Sequence, residues 1–171
     1  MQNLSTLPTS LLLHSTLLLS TGLWVGFIIP LTPFPRLALT AHIQFMVEGC
    51  MVGIIGLILN TTFQPTSTRK GGGNEGGKRL VDEMGKWKQA LVYWSCVSVW
   101  MTVGSEFVNA WWGTREVLGI AAEQAGVLVK AEEWMETVIK ITHFPSSIVM
   151  AFTVNLSFPN RPTLLQPHTY T

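Results

Sequence analysis

The chain has 171 residues, of which 47% are hydrophobic and only 12% charged, with a mean hydropathy of +0.34. That balance does not describe an ordinary soluble globule, and a net charge of +1 gives no reason to expect nucleic acid or another acidic partner. The composition predicts an integral, multi-pass membrane protein whose partners are membrane lipids and small molecules dissolved in them.

Four segments reach the roughly 20 residues that a spanning helix needs, and none alternates with period two as a barrel strand would. The first is uncharged from Ser10 to Phe34. It has no basic stretch ahead of it and its apolar run is too long for a signal peptide, so it reads as a mature helix over about 10–34. The second, over about 38–62, carries Glu48 as its only charge between Leu37 and Asn60. The connection over 64–86 follows. With Lys88 just beyond it, Arg69, Lys70, Lys78, Arg79 and Lys86 make up more than half of the 11 basic residues, so the positive-inside rule places this loop and both termini in the cytosol. Its run from Gly71 to Gly77, GGGNEGG, lacks the GxxxxGK[ST] pattern of a phosphate-binding loop and reads as a flexible linker.

The third helix, over about 89–112, carries only Glu106 between Gln89 and Thr114. The segment 113–137 then lies on the opposite face, lumenal if the source is eukaryotic and the membrane that of the endoplasmic reticulum. It is acidic, and Val117, Leu118, Ala121, Ala122, Ala125 and Leu128 fall on one helical face. It is expected to be an interfacial helix, a cap, or an extension of the last helix. The fourth helix, over about 138–159, is uncharged from Ile141 to Asn160. The expected fold is all-α, a single four-helix transmembrane bundle. Cys50 and Cys96 fall inside spans without metal-type spacing and read as small buried hydrophobes.

Glu48 and Glu106 are the residues that composition does not explain. A carboxylate in hydrocarbon costs at least about 2.5 kcal/mol, so an intramembrane acid marks function by default. At 1.5 Å per residue, Glu48 lies roughly 14 Å below the lumenal end of its helix and Glu106 roughly 9 Å, which places both in the lumenal half. His42 and His143 share that layer, whereas His14 lies towards the cytosolic end of the first helix. Ser95, Thr102, Glu106 and Asn109 form one stripe of the third helix, and Gln44 faces the same way as Glu48 one turn on. His143 and Ser147 are one turn apart around Pro145, which lacks an N–H and opens the helix locally. The alternative for Ser95, Thr102 and Gln44 is hydrogen-bonding glue between helices. For the histidines it is packing, and for the tryptophans, including Trp111 and Trp112, an interfacial belt rather than a pocket mouth.

Several of these residues also carry a family likeness. Gly22-Leu23-Trp24 in the first helix, Ala41-His42 with a polar residue six positions later followed by Gly49, and Trp100-x-x-Val103-Gly104-x-Glu106 together resemble the styrene oxide isomerase and hydroxylaminobenzene mutase group of small membrane enzymes. The resemblance implies a homotrimer with haem b at the subunit interfaces, its iron held by the residue matching His42 and acting as a Lewis acid on an epoxide oxygen. It also implies that Glu48 stands where the family has an active-site asparagine and Glu106 where it has a tyrosine. As a small membrane protein of this general kind, the chain also resembles the proposed fungal membrane epoxide hydrolases of polyene polyketide biosynthesis, of the aurovertin and citreoviridin type.

Two carboxyls in one apolar site leave one protonated and one ionised. That division of labour suits epoxide opening, with an acid at the oxygen and a base or nucleophile at carbon. The expected catalytic set is Glu48, Glu106, His42 and Asn109, with Glu106 beside Asn109 as acid and Glu48 beside Gln44 as base, the exchange of these roles remaining open. Gln44, Thr102, Trp111, Trp112 and His143 are expected to bind substrate. No resident metal or cofactor is expected from the residues themselves, haem on His42 being implied by the resemblance alone. The competing readings are a water-independent epoxide isomerase, a proton-coupled transporter and a purely structural membrane protein.

Overall fold

The computed structural model describes residues 7–63 and 78–157, with side chains as far as Thr153. Residues 1–6, the glycine run within 64–77 and the chain beyond 157 lie outside the described residues. Apart from one two-residue strand pair, the described chain is all α. Helix α1 spans Leu7–Ile28, α2 Pro35–Asn60, α3 Leu80–Glu83, α4 Lys86–Trp112, α5 Gly119–Gln124 and α6 Glu133–Ser157. Strands β1 (Thr62–Phe63) and β2 (Lys78–Arg79) pair antiparallel. Helices α1, α2 and α4 are long and apolar enough to cross a membrane. Helix α6 is equally long, but its first turns carry Glu133, Glu136 and Lys140.

Local chemistry sets the ends of these helices. Pro30, Pro33 and Pro35 crowd the first turn between spans. Helix α1 therefore stops at Ile28 and passes through a 3-10 turn at Ile29–Leu31, earlier than an uncharged run to Phe34 suggests. Pro35 then opens α2 at a position where a missing N–H costs nothing. At the far end of α4, Gly113 adopts the left-handed conformation, φ 62°, that closes a helix. A Cβ there would lie 2.5 Å from the Phe34 ring. The Phe34 N–H donates to the Ala110 carbonyl at 3.2 Å, so the turn after α1 is fastened to the end of α4.

Segment 113–137 contributes the six-residue α5, which packs on α2, and the first turn of α6. The Arg36 guanidinium holds it through two bonds to Gln124 Oε1, at 2.8 and 3.0 Å. The expected apolar face is only partly used. Ala122 is buried, but Leu128 is 88% exposed, because the chain leaves helical geometry at Gly126, φ 76°. The fourth helix starts at Glu133 rather than near 138. Glu136 explains this, since its buried carboxylate accepts the backbone N–H groups of Arg115 and Glu116 at 2.8 and 3.0 Å and so ties the helix start to the loop.

Packing pairs α1 with α2 and α4 with α6, and α2 joins the two pairs along α4. The α1–α2 seam is built on small residues, as expected where close van der Waals approach replaces a hydrophobic driving force. Ser15 Oγ donates to the Gly49 carbonyl at 2.8 Å, and a Cβ on Gly49 would meet Leu19 Cγ at 2.9 Å and the Leu19 backbone nitrogen at 3.2 Å. Cys96 is buried in the core, but Cys50 is exposed on the outer side of α2, contrary to its reading as a buried hydrophobe. Replacing Gly49 with alanine is expected to destabilise the protein by about 1–3 kcal/mol, the usual cost of overpacking. Unfolding curves in detergent micelles measure it.

Candidate functional site

The polar stripe of α4 is buried along its length: Ser95, Thr102, Glu106 and Asn109 are all enclosed. Three of the four face polar groups of α6. The Ser95 hydroxyl meets that of Thr153, and the Thr102 hydroxyl meets that of Ser146. Glu106 Oε1 lies 3.7 Å from His143 Nδ1. The stripe is therefore the seam between two helices, each polar group set against another because hydrocarbon offers no water.

Asn109 belongs to a different structure. Its Oδ1 accepts from the Thr114 backbone N–H at 2.6 Å and the Thr114 hydroxyl at 2.7 Å, and its Nδ2 donates to the Thr114 carbonyl at 3.4 Å. The amide is consumed in ending α4, so Asn109 does not stand beside Glu106 as a chemical partner. Spacing alone put it on the stripe; the turn at Gly113 redirected it.

The carboxylates occupy two layers one helical turn apart. In the first, Gln44 of α2 donates through Nε2 to Glu106 Oε1 at 3.4 Å, with His143 of α6 on the same oxygen's other side. Gln44 thus serves Glu106 rather than Glu48, the neighbour on its own helix. In the second layer Glu48 of α2, Thr102 of α4 and Ser146 and Ser147 of α6 line a cleft of about 370 Å³. Moving from 44 to 48, from 106 to 102 and from 143 to 146–147 is one turn on each helix. Only Glu48 reaches the cleft; Glu106 is 1% exposed.

Three buried polar atoms converge here without a hydrogen-bond partner among the described residues: Glu48 Oε2, Glu106 Oε2 and His143 Nδ1. Such orphans are rare in folded chains, and each calls for a reason such as a catalytic role or a bound molecule. Apolar walls complete the cleft: Met51 from α2, Val99 from α4, and Met150 and Ala151 from α6. Ser146 and the two methionines escaped sequence reasoning. Ser146 could have been found from the spacing of Thr142, Ser146 and Thr153 on α6, whereas nothing in the pattern separates Met51 and Met150 from ordinary core residues.

His42 lies elsewhere, on the α1 side of α2. Its Nδ1 bonds the Gly22 carbonyl at 2.7 Å, and the ring fills the space over Gly26, where a Cβ would come within 3.1 Å of Cε1. A carbonyl only accepts, so Nδ1 carries the hydrogen and Nε2 is left for another partner. His14 accepts from the Trp100 indole N–H at 3.3 Å. Trp111 is 41% exposed and stacks edge-on with Phe107, so it is not part of the cleft lining. Trp112 pairs with Trp134 at 5.1 Å and borders a second, apolar hollow of about 310 Å³.

No family model, curated protein or solved structure matches this chain. The site therefore stands on its own geometry. Asn109→Ala is expected to cost about 1–3 kcal/mol by stranding the buried Thr114 donors. A lower unfolding midpoint in detergent, with unchanged helical content by circular dichroism, is the expected readout.

Proposed function

We propose that the chain is a membrane-embedded epoxide hydrolase, or hydrolase and cyclase, acting on a lipophilic secondary-metabolite epoxide by carboxylate acid–base chemistry. In this reading α6 is the fourth span of a four-helix transmembrane bundle, both termini are cytosolic, the membrane of a eukaryotic source is the endoplasmic reticulum, and the assembly is the homotrimer implied by the family it resembles. The observation that carries the reading is the pair of glutamates in successive layers with unpartnered buried oxygens, one of them on a cleft wall.

Roles follow from access. Glu48 is the carboxyl that a molecule in the cleft can touch, so it delivers the proton to the epoxide oxygen as a ring C–O bond breaks. Glu106 carries the Gln44 donor, which suits an accepting carboxylate. It takes up the proton released when water adds to the ring carbon. Return of that proton from Glu106 to Glu48 across one helical turn closes the cycle, so that epoxide and water become a diol. This assignment exchanges the roles that spacing suggested, because the amide next to Glu48 in sequence turns out to serve Glu106. His143 flanks the accepting oxygen and orients it.

A specific observation favours the isomerase as second reading. His42 would hold the haem b that the resemblance implies, since its Nδ1 hydrogen is held by a backbone carbonyl, its ring is fixed against α1 and Nε2 is left for iron. Haem bound there would supply a Lewis acid for an epoxide oxygen. Glu48→Gln and Glu106→Gln are each expected to lower kcat by roughly 10²- to 10⁴-fold, the usual worth of a positioned acid or base. Turnover in ¹⁸O-water is expected to place the label in the diol. Wild-type turnover in either folded variant overturns the mechanism, and an unlabelled carbonyl product assigns the isomerase.

A further inference from the structure

The cleft sits in an unusual place along the helices. Glu48 is at the middle of α2, about 20 Å from one end and about 18 Å from the other at 1.5 Å per residue. Thr102 and Ser147 are likewise well inside α4 and α6. A hydrocarbon core of about 30 Å therefore puts the cleft near its midplane rather than at either water surface.

Its walls explain how it opens. Helix α4 packs against both α2 and α6, but no comparable packing joins α2 to α6 among the described residues. The cleft is the gap left between them, with α4 as its floor. On the rim Ser147 and Ala151 are exposed, and the outward neighbours Ile148, Phe152 and Ile54 are large, apolar and also exposed. The mouth thus faces acyl chains. A volume of about 370 Å³ is at the small end of the range for small-molecule sites, enough for the reacting end of a long molecule.

We propose that the gap between α2 and α6 is a lateral portal that admits the epoxide-bearing end of a long, unbranched lipophilic chain directly from the bilayer midplane. The remainder of the chain stays in lipid, and Met51 and Met150 set the width accepted. Thioether side chains are unbranched and adaptable, so they close over a slender chain and re-form when it leaves. The substrate class rests on the epoxide reading above, whereas the portal itself rests on the packing.

The test uses the full chain in lipid vesicles with an 18-carbon fatty acyl probe bearing a mid-chain diazirine. After photolysis, labelling is expected to concentrate on residues 48–51 and 147–151 and to be displaced by a linear alkenyl epoxide. Ala151→Trp, which fills the mouth without touching Glu48, is expected to reduce both this labelling and turnover of the linear epoxide at least tenfold. Met51→Ala and Met150→Ala are expected to raise kcat/KM for branched epoxides relative to linear ones. Labelling spread evenly over Ile54, Leu57 and Ile141, or not displaced by the epoxide, overturns the portal, and neither outcome depends on a variant that folds. Concentrated, displaceable labelling without turnover of any epoxide upholds the portal and removes the epoxide chemistry.

Discussion

Hydrocarbon gives a polar side chain no water to fall back on, and this constraint organises the whole bundle. Each buried polar group on α4 must be met by another protein group, and α6 supplies two such meetings in register, at Thr153 and Ser146, with His143 facing Glu106 one turn on. The seam fixes the rotation and height of α6 against α4, because a shift of one residue would set hydroxyls against methyl groups. The positions of the cleft and of both carboxylates follow from that registration.

The site is the place where the same constraint is left unmet. Elsewhere on the seam hydroxyls pair with hydroxyls or bond back to carbonyls one turn earlier, as Ser95 does to Leu91. At Glu48, Glu106 and His143 the pairing stops short, leaving atoms that a proton, a water or a substrate oxygen would satisfy. An acid and its neighbours held in a nearly dry pocket feel one another's charge far more strongly than they would in water.

Much of the layout could be read from residue order. The apolar runs marked three of the long helices, the isolated charges marked the two glutamates, and the spacing of Ser95, Thr102 and Glu106 marked a common face. What periodicity could not reveal was the identity of each partner. Gln44 is one turn from Glu48 in sequence and yet contacts Glu106, because its side chain reaches across to the antiparallel helix. Asn109 obeys the stripe but is claimed by the turn after α4, whose course depends on Gly113 and Phe34 from another part of the chain. His42 is on the same helix as Glu48, but six residues set it about 120° around the helix axis, towards α1. The beginning of α6 depended on Glu136 capturing loop N–H groups, a tertiary contact that composition does not announce.

The clasp at Glu136 has a mechanical consequence. With Glu116 also ion-paired to Lys130 and Lys140, the loop after α4 is bound firmly to the start of α6, and the two helices form one stiff hairpin. Helices α1 and α2, locked through Ser15 and Gly49, form a second. Between the hairpins run the α2–α4 contact, a smaller α1–α4 contact that includes the bond from Trp100 to His14, and fasteners at both ends: Phe34 to Ala110 and Arg36 to Gln124 at one, the β1–β2 pairing and Leu80 to Thr61 at the other. The gap between α2 and α6 is thus bridged by α4 and framed by fasteners at both ends, while every pairing along the α4–α6 seam lies within a single hairpin.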